Sequence, residues 1–150
     1  TKYLGESRQT ETHLIPLLFR AATVKGQGIT LFGGDYPTPD GTPVRDYVHV
    51  LDIARAHVMA LGWLSDNDVA ESINLGSGRS YSVLEIVNSV ERVLGKSVPW
   101  SIGPRRQGDP ARMTADIKYA ADRLGWHPTH SDIDEIVSST WEWQMESLHD

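Results

Sequence analysis

The sequence has 150 residues, 39% hydrophobic and 23% charged, with no cysteine and a formal net charge of −6. A chain of this length buries about two thirds of its unfolded surface in one folded unit, so residues 1–150 are read as one domain, and the ordinary composition excludes collagen-like, disordered and membrane-embedded classes. The acidic balance argues against a nucleic-acid partner, which needs a dense basic surface, and without cysteine there is neither a disulfide framework nor a thiolate zinc site.

The opening stretch, Thr1 to Thr12, is polar and has no initiating methionine. It reads as a start inside a loop of something longer, and Thr1 to Arg8 lacks the charged, apolar and small-residue order of a signal peptide. From Leu14 to Val24 the apolar positions Leu14, Leu17, Leu18, Ala21 and Ala22 recur at helical spacing, with Lys25-Gly26-Gln27-Gly28 as the stop. Ile29 to Phe32 alternates between glycines and predicts a short strand, and Gly33 to Pro43 is a turn-rich loop. Val44 to Val50 is β-branched and aromatic enough for an extended segment. Asp52 then suits a helix N-terminus, with Ile53, Ala56, His57, Ala60, Leu61 and Leu64 as the stripe behind it.

Ser72 to Leu75 predicts a strand that ends in Gly76-Ser77-Gly78, a tight connection to the next helix. Ser82-Val83-Leu84-Glu85 matches a capping box, followed by the apolar face Val83, Ile86, Val87, Val90 and Leu94 and by Gly95 as the stop. Val98 to Ile102 reads as a strand. A short helix from about Ile117 to Leu124, capped by Asp116, precedes a last one from about Asp132 with the stripe Ile133, Ile136, Val137, Trp141 and Met145. The order α, β, β, α, β, α, β, α, α is a mixed α/β fold with no repeat and no dividing linker. No apolar run approaches the ~18 residues of a membrane span, and the cytoplasm is the expected compartment.

Two loops carry residues that are costly for mere connectors. Arg45 sits in an apolar, aromatic segment where an unpaired guanidinium is expensive, so it needs an anionic partner. That partner is either a carboxylate of the chain (Asp46, Asp52 or a remote one) or a ligand, and the two readings stand level. Pro104-Arg105-Arg106-Gln107-Gly108-Asp109, with Arg112 close behind, makes a phosphate clamp from planar guanidinium forks. Adjacent side chains point apart, so one arginine is expected toward the ligand and the other toward solvent or an acid. Asp109 has the acceptors for sugar hydroxyls, while the commoner fate of such a charged run is a solvated loop. The strand-to-helix turn at Gly76 lacks G-x-G-x-x-G spacing and is read as a connection. His127 and His130 straddle Pro128 and share no helix face, His49 and His57 are read as buried and hydrogen-bonded, and no metal is expected. The five tryptophans are read as packing residues.

Phe32 to Thr42, then Val44-Arg45-Asp46-Tyr47-Val48-His49-Val50, Asn74 to Gly78, Pro104 to Asp109 and Thr140 to Gln144 resemble, in order and over nearly the whole chain, UDP-glucose 4-epimerases of the extended short-chain dehydrogenase/reductase superfamily. The Asp35 to Thr42 loop is the most specific element, and it weighs against a dehydratase or decarboxylase of that superfamily. The resemblance implies the C-terminal substrate-binding region of an extended short-chain dehydrogenase/reductase, with the NAD-binding Rossmann segment missing. It places His13 and Leu14 beside the nucleotide and the backbone of Thr30, Leu31 and Phe32 along the uracil. Arg45 and Arg106 would grip the diphosphate, Tyr47 would line the site, Val83 would pack near the base and Asp109 would meet the ribose. Met113 stands where some members carry a tyrosine near the sugar.

The family's Tyr-x-x-x-Lys base is absent: the residues four after Tyr3, Tyr36, Tyr47, Tyr81 and Tyr119 are Ser7, Asp40, Leu51, Glu85 and Arg123. No glycine trio fits a dinucleotide fingerprint. The resemblance therefore implies NAD in the parent enzyme, none bound by this chain alone, no catalytic residue here, and a UDP-sugar and an N-terminal NAD-binding segment as partners. Self-association through the apolar surface left by that segment is expected. The alternative is a free-standing or split-subunit nucleotide-sugar-binding module without catalysis of its own.

Overall fold

The computed structural model describes residues 4–6 and 9–147. The expected opening loop rests on residues of which 1–3 and 7–8 lie outside that range, as do Tyr3 and Ser7. In chain order the elements are α1 (Leu14–Thr23), β1 (Ile29–Phe32), β2 (Val44–Asp46), α2 (Val50–Asp66), β3 (Ser80–Ser82), α3 (Val83–Leu94), β4 (Trp100–Gly103), β5 (Arg112–Met113), α4 (Lys118–Leu124) and α5 (Ile133–Ser147).

Helix α3 follows directly from its local sequence. Ser82 Oγ accepts the Glu85 amide at 3.1 Å while Glu85 Oε2 accepts the Ser82 amide at 2.7 Å, closing the capping box. Gly95 ends the helix in the left-handed region at φ 62°. Ile86, Val87 and Val90 are buried, each burial stabilising by about 1.5–3 kcal/mol. With Leu18 and Phe19 of α1 and Ile136 and Val137 of α5 they form the main core, and the Phe19 and Trp141 rings meet at 5.0 Å. A smaller core gathers Ala56 of α2, Ala120 of α4 and the fully buried Trp126.

Two separate sheets position the rest. β1 pairs in parallel with β4, Ile29 opposite Trp100 and Phe32 opposite Gly103. β2 lies between antiparallel β3 and parallel β5, with Arg45 opposite Tyr81 on one side and Met113 on the other. The 104–111 loop thus hangs between one strand fixed to β1 and another fixed to β2.

The structure corrects several sequence expectations. Ser72–Leu75 is not a strand: no segment among the described residues pairs with it, and a strand exists only as half of a ladder. Instead Ile73 and Leu75 pack on the smaller core. β3 intervenes between the Gly76 turn and the Ser82 cap. The extended segment from Val44 stops as a strand at Asp46, and β5 is an addition. On α2 the buried positions are Asp52 and Ala56, whereas Leu61 and Leu64 are exposed, as are Val50, Leu51 and Val58. His57 is exposed too, bonded to the Ile53 carbonyl at 2.8 Å.

Candidate functional site

A cleft of about 1340 Å³ opens between α1, β1, the β2–α2 segment, the 104–109 loop and α5. All of the site residues expected from sequence line it except Met113: His13, Leu14, Thr30, Leu31, Phe32, Arg45, Tyr47, Val83, Arg106 and Asp109. Met113 is 60% exposed on β5 and does not line the cleft. The cleft exceeds the usual small-molecule range of about 300–1,000 Å³ because its wall continues past the charged groups onto Val50, Leu51 and Ala54 of α2.

Each lining residue is held by a local cause. His13 precedes α1, where the Glu11 carboxylate accepts its amide at 2.7 Å and its ring lies 3.0 Å from Glu6. Among the described residues β1 is paired on one side only, by β4, and the second edge of Thr30–Phe32 has no ladder partner there. Arg45 leaves the middle of β2, donates to the Val44 carbonyl at 2.7 Å and pairs with Asp109. Of the partners open to it in sequence, the remote carboxylate is the one it takes. Asp46 serves instead to hold the Gly76 turn, accepting the Ser77 amide at 2.8 Å and the Ala115 amide at 3.2 Å. The half-buried Tyr47 phenol is pushed up to about 12 by burial, against the opposing effect of Arg45, and stays neutral at physiological pH.

The two adjacent arginines divide as alternation requires. Arg105 turns away from the cleft: its Nε donates to Asp35 Oδ1 at 2.7 Å and its guanidinium lies 4.3 Å from the Tyr36 ring centre. That hydrogen bond holds the Asp35 carboxyl below its ordinary value. Arg106 turns into the cleft and covers the Phe32 ring at 4.3 Å. One cation is therefore spent on structure, and the other stands in the cleft with Arg45.

His49 begins α2 and also faces the cleft. Its Nδ1 accepts the Leu51 amide at 3.0 Å, and its Nε2 lies 2.9 Å from Ser139 Oγ. Burial lowers its pKa, so the neutral ring donates from Nε2. Sequence reading also missed a wall of α5, namely Ile136, Ser139, Thr140, Trp143 and Gln144. Their spacing of i, i+3, i+4, i+7 and i+8 marks one helix face. That signal was available but was obscured by the more apolar stripe beside it. Trp143 both lines the cleft and packs on Gly5, its Nε1 donating to the Glu6 carbonyl at 3.3 Å, while Trp126 and Trp141 pack in the cores. The Asp35–Thr42 loop lies behind the cleft, with Asp40 bonded to Ser82 Oγ and to the Thr42 amide at 2.9 Å.

The cleft combines Arg45, Arg106 and Asp109 with the edge of β1, where Arg106 covers Phe32, and with apolar walls, and Glu6 and Glu11 line it near His13. Guanidinium groups in such a lining can take an anionic group such as a phosphate, and the apolar walls can take a flat ring. Among the described residues no helix is long and apolar enough to cross a membrane.

Comparison with known proteins shows the family. The model of the NAD dependent epimerase/dehydratase family matches residues 2–76, and the chain belongs to that family. A UDP-glucose 4-epimerase of Lacticaseibacillus casei is 44% identical over 140 residues, which is 93% of this chain and 42% of that protein. The crystal structure of a UDP-glucose 4-epimerase from Stenotrophomonas maltophila, with bound NAD and formylated UDP-arabinopyranose, superposes with a TM-score of 0.92 at 41% identity, covering 99% of this chain and 44% of that one. A Bifidobacterium longum UDP-glucose 4-epimerase in complex with NAD+ and UDP gives 0.84 at 37% identity, covering 98% and 44%. The chain thus spans less than half the length of these relatives. Each likeness is to a part of a longer epimerase, and none of them supports a free-standing binding module.

Proposed function

We propose that this chain forms, as one domain, the UDP-sugar-binding part of a UDP-glucose 4-epimerase that interconverts UDP-glucose and UDP-galactose. Arg45 and Arg106 bind the diphosphate and Asp109 the ribose hydroxyls. The backbone of Thr30, Leu31 and Phe32 edges the uracil, Val83 packs near the base, His13 and Leu14 lie beside the nucleotide and Tyr47 lines the site. The observation that carries this reading is the meeting of Arg45, Arg106 and Asp109 in the lining of the cleft in a chain of net charge −6. Guanidinium forks match phosphate oxygens, and the solved relatives hold UDP or a UDP-sugar.

The residues present do not fit NAD. No glycine trio has dinucleotide spacing, and no tyrosine is followed at the fourth position by lysine. The hydride chemistry and its cofactor accordingly belong to an N-terminal NAD-binding segment of the longer enzyme. The exposed apolar residues of α2 face that partner in the whole enzyme and favour self-association without it. The cytoplasm is the compartment consistent with this role.

Calorimetric titration with UDP tests the proposal. Saturable binding that weakens steeply when UDP is replaced by uridine is expected, and the absence of any UDP binding at millimolar concentration refutes it for the chain alone. The chain supplied with NAD is expected to leave UDP-galactose unchanged, and turnover would overturn the assignment of the chemistry to another segment.

A further inference from the structure

Tyr36 is 5% exposed and lies outside the cleft, yet it touches the loop that carries Arg106 and Asp109 into the cleft at two places. Its hydroxyl donates to the Asp109 carbonyl at 3.2 Å, 73 residues along the chain. Its ring carries the Arg105 guanidinium at 4.3 Å, and Arg105 is tied in turn to Asp35 through Nε at 2.7 Å and to the Asp35 carbonyl through Nη2. The backbone is shaped to admit this packing. Gly33 sits at φ +84°, where a β-carbon would collide with the Tyr36 ring and stand 3.2 Å from Arg105 Cγ. Gly41 sits at φ +80°, where a β-carbon would strike the Gly34 carbonyl, and its own carbonyl accepts the Tyr36 amide at 2.9 Å.

We infer that Tyr36, Arg105 and Asp35 form a clamp that positions the 104–109 loop from behind, so that Arg106 and Asp109 face the cleft at fixed places. The clamp acts through a chain of contacts. Tyr36 holds the Asp109 backbone, the Asp109 carboxylate holds Arg45, and the Arg105 anchor leaves its neighbour Arg106 to project onto Phe32. The loop is also tied by a turn in which the Asp109 amide donates to the Arg106 carbonyl at 3.2 Å, and at its ends, where Gly33 donates to the Gly103 carbonyl at 3.0 Å and Val44 to the Ala111 carbonyl at 2.9 Å. None of the three clamp residues reaches the cleft itself, so they are positioning residues. The effect on ligand affinity rests on the proposed UDP site, whereas the effect on the loop does not.

Two measurements test the clamp on the chain as it stands. In the first, Tyr36→Phe removes the hydroxyl and keeps the stacked ring. UDP affinity is expected to fall about three- to tenfold, the scale of one lost hydrogen bond, and the same change in an Asp109→Ala background should cost less than about twofold by the same scale. An equal loss in both backgrounds marks a general structural effect and overturns the inference. The second measurement needs no ligand: amide hydrogen exchange at Arg106 to Asp109 should quicken in Tyr36→Phe and in Arg105→Ala while Ile86 to Val90 of α3 keep their rates. Unchanged exchange in the loop overturns the clamp. If the unaltered chain takes up no UDP, the proposed UDP site fails and the exchange result alone decides the clamp.

Discussion

Asp52→Asn removes one charge and almost no volume from the carboxylate that joins α2 to the segment before α5. Asp52 is fully buried. Its Oδ1 accepts the Thr129 amide at 2.9 Å and Thr129 Oγ1 at 3.2 Å, and its Oδ2 accepts the His130 amide at 2.8 Å and Ser131 Oγ at 2.7 Å. A carboxylate accepts from all four donors. An amide must turn its NH2 toward one pair, and in either orientation a backbone N–H is left facing another donor. A hydroxyl can rotate away, but the backbone group cannot, and leaving it unsatisfied costs about 1–3 kcal/mol. With the weakened charge-assisted bonds, we expect a loss of about 3 kcal/mol out of the usual 5–15. For a chain of this size that is a fall in melting temperature of about 6–12 °C.

Urea unfolding followed by tryptophan fluorescence measures this loss, and Trp126, whose Nε1 donates to the Asp52 carbonyl at 2.9 Å, contributes to the signal. A change below about 1 kcal/mol refutes the reasoning. The pH dependence gives a second check. Burial works to raise the Asp52 carboxyl, and the bonds from Ser131, Thr129 and His130 together outweigh it, so its pKa lies below the ordinary 3.8. A carboxyl depressed in the folded state stabilises above its unfolded value and ceases to do so as pH falls through the folded one. Stability should therefore drop on acidification below about pH 4, and this part of the acid limb should be missing in Asp52→Asn.

Arg106→Ala should weaken UDP binding by about 10- to 100-fold, the range for a hydrogen bond to a charged group, and uridine binding far less, as read by calorimetry. The exposure of Arg106 before ligand binds argues for the lower half of that range. Ser82→Ala loses both the α3 cap and the partner of Asp40, so thermal unfolding should fall by about 2 kcal/mol. The pair Val58→Lys and Leu61→Glu alters two residues of α2 that are each 69% exposed. It should leave stability within about 0.5 kcal/mol while reducing self-association in light scattering, and a clean monomer for the unaltered chain at high concentration removes the premise.

What the sequence revealed depended on how far apart the interacting residues are. The α3 cap, core face and stop lie within fourteen positions, Ser82 to Gly95, and local spacing was enough to place them. That neighbouring arginines point apart was equally legible, but which one faces Asp35 was not, since that depends on a loop 70 positions away. The partner of Arg45 lies 64 positions distant, beyond any periodic signal. Ser72–Leu75 has the composition of a strand without a partner, and composition does not report partners. Helix α2 misled for another reason: Ile53 and Ala56 face inward and Leu61 and Leu64 outward, so an apolar pattern on both sides does not say which is covered here. The cleft residues were legible mainly through the family resemblance. The Ser139 to Gln144 wall was not assigned to the site, because the more apolar stripe of the same helix obscures its spacing.

The parallel pairing of β1 with β4 and of β2 with β5 sets the order in which this cleft can come into being. Phe32 and Arg45 enter the chain early, and Arg106 and Asp109 join them only after the whole of α2 and α3 has been made and the intervening loop closed. Such long-range closures are slow to form because their entropy is spent before any contact repays it. The meeting of Arg45 and Asp109 is accordingly expected late in folding. Until residue 109 has been made, Arg45 lacks the carboxylate it pairs with in the folded structure.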